Sequence, residues 1–543
     1  MKPFLLTSFI SSLSHAFARL RPYAIPISLV MILIIGASLR LTDFSSLTRF
    51  NADQVRDARI VDAMADGSEL PLLGPKAGGT TFRLGPAFYY FEYLSGSLFG
   101  HHPAGRAFFV PLLSLCSIYV LFRLLRFLFS PWLSLSLTLL YATSFYAIKY
   151  SRFAWNPNPI PLFVFAYLWL LMLITGPESR KQPLWYALIG IVTGIAAQLH
   201  TTLLVLLPTF FILVHIVLFF SQKRLPITRV LSVAFIIILL QTPSILFDTQ
   251  NEWGNTRAFI TGITTKTEKN TTLARNLILD IQLFAQGSTY VLSGKEPDEK
   301  WIHPIKLLQS RQIPEIALFT FGSLLLIIGT TLTVSRVKKS APETGKRFLI
   351  LFFGFSLLSF FLFLPIGNEL NLRFFILLLP LPFVFLGLII ERLLATNIHP
   401  TLQKIALLIG FLVLIASNLH SYLATYDLQS YQAKDSAYGG ISLGEAEDIV
   451  SFIETTAKVA PHETVQLLPF EFERSIKYLA EQNNMSLKTI DTDAIPIGTT
   501  VFVILSNSNP DTHLPYSTSR FETMKQSTIG RFSVLAVRVK SEN

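Results

Sequence analysis

The sequence predicts a mainly α polytopic membrane protein: a bundle of about eleven transmembrane helices with a small α/β domain at the C-terminal end. Three observations predict it. Of 543 residues, 51% are hydrophobic and only 15% charged, well below the roughly 25% charged of soluble chains. A mean hydropathy of +0.50, with 46 Phe, exceeds what one soluble core absorbs, since such cores stop growing near roughly 250 residues. Apolar runs of roughly 17 to 25 residues recur, and about 20 residues of helix cross the hydrocarbon. A soluble multidomain enzyme is excluded.

The runs lie near 22–42, 104–127, 131–149, 159–175, 183–199, 202–221, 227–247, 313–335, 347–366, 371–394 and 402–424. The first is too long for a signal-peptide core and has no small-residue cleavage site behind it, so it is expected to stay in the membrane. Only Gln198-Leu199-His200-Thr201-Thr202 separates the fifth from the sixth. Reading that stretch as one helix would invert everything downstream. The positive-inside rule favours the break: Lys2, Arg19 and Arg21, then Arg123 and Arg126, Arg180 and Lys181, Lys223, Arg224 and Arg229, and Arg336, Lys338, Lys339, Lys346 and Arg347 mark every second loop as cytoplasmic. The net charge of +11 is therefore a topology signal rather than a nucleic-acid footprint, for no compact basic block with interleaved aromatics exists.

This topology divides the chain into a transmembrane domain, 1–424, with large outer loops at 43–103 and 248–312, and an extracytoplasmic α/β domain, 425–543. In the latter, Leu443 to Lys458 and Phe472 to Asn483 read as helices, and Thr464 to Leu468, Thr500 to Leu505 and Phe532 to Val539 as strands. The single Cys116 lies in an apolar run, which excludes intramolecular disulfides and thiolate metal sites.

Candidate chemistry gathers at the outer ends of the spans. In the first outer loop Asn51 is a helix cap, Gln54 three residues on completes a capping box, and Ile60, Val61 and Met64 continue an apolar stripe, predicting an amphipathic helix lying on the membrane. Asp53 and Asp57 share a face of it, an arrangement that costs a few tenths of a kcal/mol unless a cation, proton or polar ligand lies between them. Ion pairing with Arg49, Arg56 and Arg59 is one explanation; contact with a substrate arriving along the membrane is the other. Phe82 to Phe91 fits a second interfacial helix opened by Pro86, with Tyr89 among aromatics that suit either headgroup depth or a sugar platform.

Lys149 and Arg152, at the outer end of the third span, oppose the positive-inside trend, and Pro157, Pro159 and Pro161 stiffen the turn that carries Asn156. Such cations either snorkel to headgroups or bind phosphate, for which the Arg fork is well matched. His200 at the next outer turn and Arg373 at the start of the tenth span complete the ring; a helix-end cap and an ion pair with Glu369 are the alternatives for these two. Asp248, Glu252, Trp253, Asp280, Trp301 and His303 in the second outer loop lack ligand spacing for any metal. No GxSxG, P-loop, HExxH or GxGxxG at a strand-to-helix turn is present.

In this order (one span, an outer loop with an early Asp, two interfacial helices, then spans alternating with short turns) the chain resembles the GT-C superfamily of polytopic glycosyltransferases over roughly residues 20–425. In particular it resembles the branch of protein O-mannosyltransferases and aminoarabinose lipid A transferases. The resemblance implies that Asp53 is, or stands beside, the catalytic base, with Asp57 second. It implies further that Lys149, Arg152, His200 and Arg373 hold a donor phosphate and that Arg56, Tyr89 and Asn156 contact substrate. The family often carries an acid at the Arg152 turn; here Asn156 or Asn158 stands instead. The expected donor is a sugar on a polyprenyl phosphate, and the acceptor a hydroxyl of a lipid, glycan or protein, attacked with inversion. No cofactor is expected, a divalent metal having no motif behind it, and no nucleic acid. The site and the C-terminal domain are expected on the extracytoplasmic face of a bacterial plasma membrane. A transporter or flippase of a lipid-linked or amphipathic solute is the alternative from another class; it would place ionisable groups at mid-span and break paired helices.

Overall fold

The computed structural model describes residues 21–177, 180–223, 226–267, 272–297, 312–338, 342–396, 398–427, 432–433, 440–457, 464–491, 495–506 and 520–540. Helices occupy all eleven apolar runs. Seven are long and apolar enough to cross a bilayer: Ala24–Leu41, Pro103–Leu125, Gln182–Leu199, Thr201–Ser221, Ile313–Lys338, Glu343–Glu369 and Pro400–Thr425. Two bent pairs, Ile227–Leu240 with Thr242–Gln250 (58°) and Leu372–Leu378 with Pro380–Thr396 (63°), raise the number to nine among the described residues. Proline near the start of each second member, Pro243 and Pro380, stands where the i to i−4 ladder is interrupted. The other two runs are shorter: Pro131–Thr143 is separated from Phe145–Ser151 at Ser144, and Ile160–Ile174 has 15 residues. The chain is thus a multi-pass membrane protein.

The break on which the topology turned is present. His200 is extended (φ −159°, ψ 136°) between Gln182–Leu199 and Thr201–Gln222. The Tyr186 hydroxyl meets His215 Nε2 at 3.0 Å. These two residues are nearly equidistant from His200 along the chain, so the helices double back on one another. Lys2, Arg19, Arg224 and Lys339 of the charge pattern, and Trp301 and His303, lie outside the described residues.

The second outer loop contains more structure than its sequence announces. Gly254–Thr267 and Leu273–Ser293 are helices, and the latter is buried from Gln282 to Ser293 against Ile313–Lys338. Its Asp280, Gln282 and Gln286 dilute the hydropathy that marks a span.

The C-terminal domain is a five-stranded mixed sheet. With β1 Thr464–Leu467, β2 Ser486–Thr489, β3 Thr500–Ser506, β4 Phe521–Ile529 and β5 Phe532–Val539, the order is β2-β1-β3-β5-β4. β1 pairs in parallel with β2 and β3, while β5 runs antiparallel to β3 and β4. Alternation sends Phe502, Ile504, Val534 and Ala536 into the core shared with helices Leu443–Ala457 and Glu473–Gln482, and Val501, Val503, Leu535 and Val537 into a second core on the other face.

The Ala52–Ala65 helix, expected to lie on the membrane, is packed on both sides by protein. Its Val55 and Ala58 belong to the C-terminal domain's core, and Ile60 and Met64 pack on the core of the bundle. It is a layer between the two domains.

Candidate active site

A cavity of about 780 Å³ opens where span ends from one end of the bundle converge. Its walls include Asp53 and Arg56 of the Ala52–Ala65 helix, Lys76 to Thr81 of a hairpin, Trp155, Asn156 and Pro157, His200 and Thr201, Thr261 and Thr265, and Glu369, Arg373 and Phe374. Of the site residues read from sequence, it brings together Asp53, Arg56, Asn156, His200 and Arg373. Lys149, Arg152, Asp57 and Tyr89 are not on its walls.

Asp53 and Asp57 are joined through Arg56. Asn51 donates its N–H to Gln54 Oε1 at 3.0 Å, completing the expected capping box and fixing the start of the helix. Arg56 Nη1 donates to Asp53 Oδ1 at 2.9 Å, while its Nε and Nη2 grip the Asp57 carboxylate at 2.8 and 3.0 Å. The two acids are unequal. The Asp53 side chain is 55% exposed, that of Asp57 only 1%. Burial, reinforced by the charge of Asp53, pushes the Asp57 carboxyl up to about 6 against the opposing pull of Arg56. The same two carboxylates outweigh burial at Arg56 and hold its guanidinium above the ordinary arginine range. Asp57 is thus a buried support that orients Arg56, and Asp53 is the carboxylate that reaches the cavity.

Tyr89, expected on a sugar platform, is wholly buried beside Asp57; burial and that carboxylate raise its phenol above its usual value. Its helix, Ala87–Phe99, follows Pro86, and Phe88 is equally buried. These two rings are packed in the interior.

Two cations expected at a donor phosphate are committed elsewhere. Arg152 is 1% exposed. Its Nη1 and Nη2 donate to the carbonyls of Leu39 and Thr42 at 3.0 and 2.6 Å, and its guanidinium lies 4.8 Å from the Tyr426 ring centroid. Those carbonyls belong to the end of the first span, where a helix leaves four without intrahelical partners, so Arg152 is a helix C-terminal cap. Lys149 pairs with Glu296 at 2.8 Å. Neither lines the cavity, and both are engaged by groups of the protein.

Arg373 lies 5.4 Å from the Trp155 ring centroid and 5.7 Å from that of Phe374, forming an aromatic-backed cation on the cavity wall. His200 both caps and faces the cavity. Its Nδ1 accepts the Thr202 N–H at 3.1 Å, so in the neutral ring the proton sits on Nε2. Phe374 meets the imidazole edge-on at 5.6 Å. Asn156 is held in place by its donation to the Leu199 carbonyl at 2.7 Å.

The sequence reading missed the opposite contributors. The hairpin is closed by Gly74 N–H to Leu84 O at 2.7 Å and Ala77 N–H to Phe82 O at 2.8 Å, with Gly79 in the left-handed region (φ 72°). Asn255 ties it to the Gly254–Thr267 helix, accepting the Arg83 N–H and donating to the Arg83 carbonyl, both at 2.9 Å. A Cβ on Gly262 would stand 2.9 Å from Thr80 Cγ2, so the two pieces pack as one wall. That wall adds Lys76 and four threonines, Thr80, Thr81, Thr261 and Thr265. Gly78-Gly79 between Lys76 and Thr80 is the signal that could have found it. Among the described residues no group of three or more His, Cys, Asp or Glu is arranged to hold a metal ion.

Residues 84–247 match the family model of dolichyl-phosphate-mannose-protein mannosyltransferase. The fold resembles that of ArnT from Cupriavidus metallidurans, solved bound to undecaprenyl phosphate: TM-score 0.53 and 14% identity, covering 93% of this chain and 97% of that one. The chain shares this polytopic fold. It also resembles the archaeal oligosaccharyltransferase AglB from Archaeoglobus fulgidus, solved with an inhibitory peptide and a dolichol-phosphate, at TM-score 0.50 and 13% identity, with 85% of this chain covered. It spans 64% of the length of AglB. No curated protein matches it. The family match includes Trp155, Asn156 and His200 but neither Asp53 nor Arg373, which join the site only through the fold.

Proposed function

We propose that the chain is a membrane glycosyltransferase that moves a sugar from a polyprenyl-phosphate donor to an acceptor hydroxyl. One observation carries this reading: a single large cavity at the end of the bundle combines an accessible carboxylate, Asp53, with Arg56, Lys76, Arg373 and the Nε2–H of His200. That set suits displacement at an anomeric carbon. Asp53 takes the proton from the acceptor hydroxyl; the new bond forms from oxygen to the anomeric carbon; the bond to the phosphate oxygen breaks, and its electron pair leaves with the polyprenyl phosphate. A single in-line displacement inverts the configuration. General-base assistance contributes about 100- to 10,000-fold, and cations positioned where the leaving oxygen gains charge contribute comparably or more. Trp155 and Phe374 supply apolar faces against which a sugar ring can lie. The lipid phosphates bound by ArnT and AglB support a donor of this class. We propose the extracytoplasmic face as the side of the reaction, on the strength of the lysine and arginine distribution.

The test is to incubate the purified protein with a panel of polyprenyl-phosphate sugars and a hydroxyl acceptor and to measure free polyprenyl phosphate. Release with one or more donors, lost in Asp53→Asn, is expected. Release from none, or undiminished release from the variant, overturns the reading.

A further inference from the structure

The helix that carries Asp53 and Arg56 is held from two sides, and one side is the C-terminal domain. Residues 48–50 form a short antiparallel seam with 441–443: Arg49 pairs with Ser442, Leu443 donates its N–H to Thr48 O at 2.8 Å, and Phe50 donates to Ile441 O at 2.9 Å. Each arm of the seam leads straight into a capped helix. Asn51 caps Ala52–Ala65, and Ser442 caps Leu443–Ala457 through reciprocal bonds with Glu445 at 2.9 and 3.1 Å. Asn51 Oδ1 also accepts the Ile441 N–H at 3.0 Å, and a Cβ on Gly440 would stand 2.2 Å from that oxygen, so a side chain there would displace the Asn51 amide. On the bundle side, Thr48 Oγ1 donates to Arg152 O at 2.9 Å and Gln54 Nε2 to Ala154 O at 2.7 Å.

Two side chains of the C-terminal helix Glu473–Gln482 complete the grip. Ser475, fully buried, donates to the Phe50 carbonyl at 2.6 Å, one residue before the cap. Tyr478 donates to Asp62 Oδ2 at 3.0 Å, more than two turns further along the same helix, and Asp62 is also paired with Arg106. The Tyr478 ring meets Phe50 at 5.5 Å between centroids. Both ends of the Asp53 helix are thus referenced to one helix, at sequence separations of 425 and 416 residues.

We infer that the C-terminal domain positions the reacting groups, with Ser475 and Tyr478 as positioning residues that set where Asp53 and Arg56 stand in the cavity. Neither lines that cavity, so they act through the Ala52–Ala65 helix. The inference rests on the functional reading only for its kinetic arm. A displacement of about 1 Å in a reacting group can cost on the order of a hundredfold in rate, whereas the donor's phosphate is also held by Lys76, His200 and Arg373, which this clamp does not touch.

The experiment uses the full-length chain in nanodiscs, comparing Ser475→Ala and Tyr478→Phe with the parent by amide hydrogen exchange and by steady-state kinetics. Exchange across 52–65 is expected to rise about tenfold, the equivalent of one lost hydrogen bond, while the strands of the C-terminal sheet keep their protection. In the same variants kcat is expected to fall about tenfold with donor KM within about threefold. Unchanged exchange across 52–65, exchange rising equally throughout the sheet, or a loosened helix with full kcat each overturns the inference. Should Ser475→Ala not fold, Tyr478→Phe, which keeps the ring against Phe50, decides alone. A parent protein that transfers no sugar sinks the functional reading, and the exchange arm then still decides whether the domain holds the helix.

Discussion

Two stretches of polar sequence, residues 49–57 and 149–156, stand at the ends of spans and present the same residue types, yet the fold uses them differently. In the first, Arg56 is satisfied within its own helix by Asp53 and Asp57, and a half-exposed carboxylate is left on a cavity wall. In the second, Arg152 is turned inward and its donors go to the carbonyls of Leu39 and Thr42. A charge at the end of a membrane helix faces two demands, that of a ligand and that of the unpaired backbone groups of neighbouring helix ends. Backbone carbonyls deep in the protein have no water to turn to, so they take the nearer arginine. What the 149–156 turn offers the cavity is Trp155 and Asn156, the residues after its cations.

The largest expected effect that sharpens this contrast is at Asp53. Asp53→Asn should lower turnover by about 100- to 10,000-fold with thermal stability unchanged, since the side chain is half exposed and its lost partner Arg56 keeps Asp57. Near-normal turnover would break the assignment of Asp53. Next come the two arginines, which should separate cleanly. Arg152→Ala leaves buried carbonyls unpaired and should cost about 1.5 to 3 kcal/mol of stability, with donor KM unchanged in the protein that remains. Arg373→Ala should do the reverse, raising donor KM about tenfold or more at unchanged melting temperature. The opposite pattern in this pair would return Arg152 to the donor site.

Hydropathy and charge distribution made the bundle legible because both follow from the membrane itself. Every apolar run is a helix, and the break at His200 lies where alternating loop charge required it. The sheet was legible only at its centre. β1, β3 and β5, covered on both faces, carry the apolar residues that reveal a strand, while the edges β2 and β4 do not: Phe521–Ile529 is exposed along most of its length. The site was half legible for a related reason. Capping at Asn51 is a local signal that puts Asp53 and Arg56 on one helix, while their place at the site came from the resemblance. That Arg152 would find Leu39 and Thr42, or that Lys76 would be carried to Arg373 by packing of Thr80 on Gly262, depends on contacts more than a hundred residues apart, which no local period encodes.

A smaller effect concerns the buried acid behind Asp53. Burial, with the charge of Asp53 beside it, holds the Asp57 carboxyl up at about 6 in the folded chain, above its ordinary 3.8 and against the pull of Arg56. A carboxyl whose folded value is raised binds more protons in the native state than in the unfolded one between those two values, so the contribution of Asp57 to stability is fully present below about pH 4 and is lost as pH rises to about 6. Melting temperature measured across that window should fall as pH rises through it, and Asp57→Asn should flatten the slope. A slope of opposite sign would mean that the Arg56 pairing outweighs burial, and that Asp57 is a charged partner throughout.

The smallest effect tests the one residue that answers both demands at once. His200 Nδ1 caps the Thr201–Gln222 helix while the ring faces the cavity beside Phe374. His200→Ala should cost about 0.5 to 2 kcal/mol through the lost cap and should also raise donor KM several-fold. His200→Asn separates the two roles, because Asn is a strong cap whose shorter side chain cannot reproduce the Nε2–H in the cavity. Stability should return in that variant and donor KM should not. If both return, His200 is a cap alone, and it joins Arg152 among the polar residues that serve the helix ends.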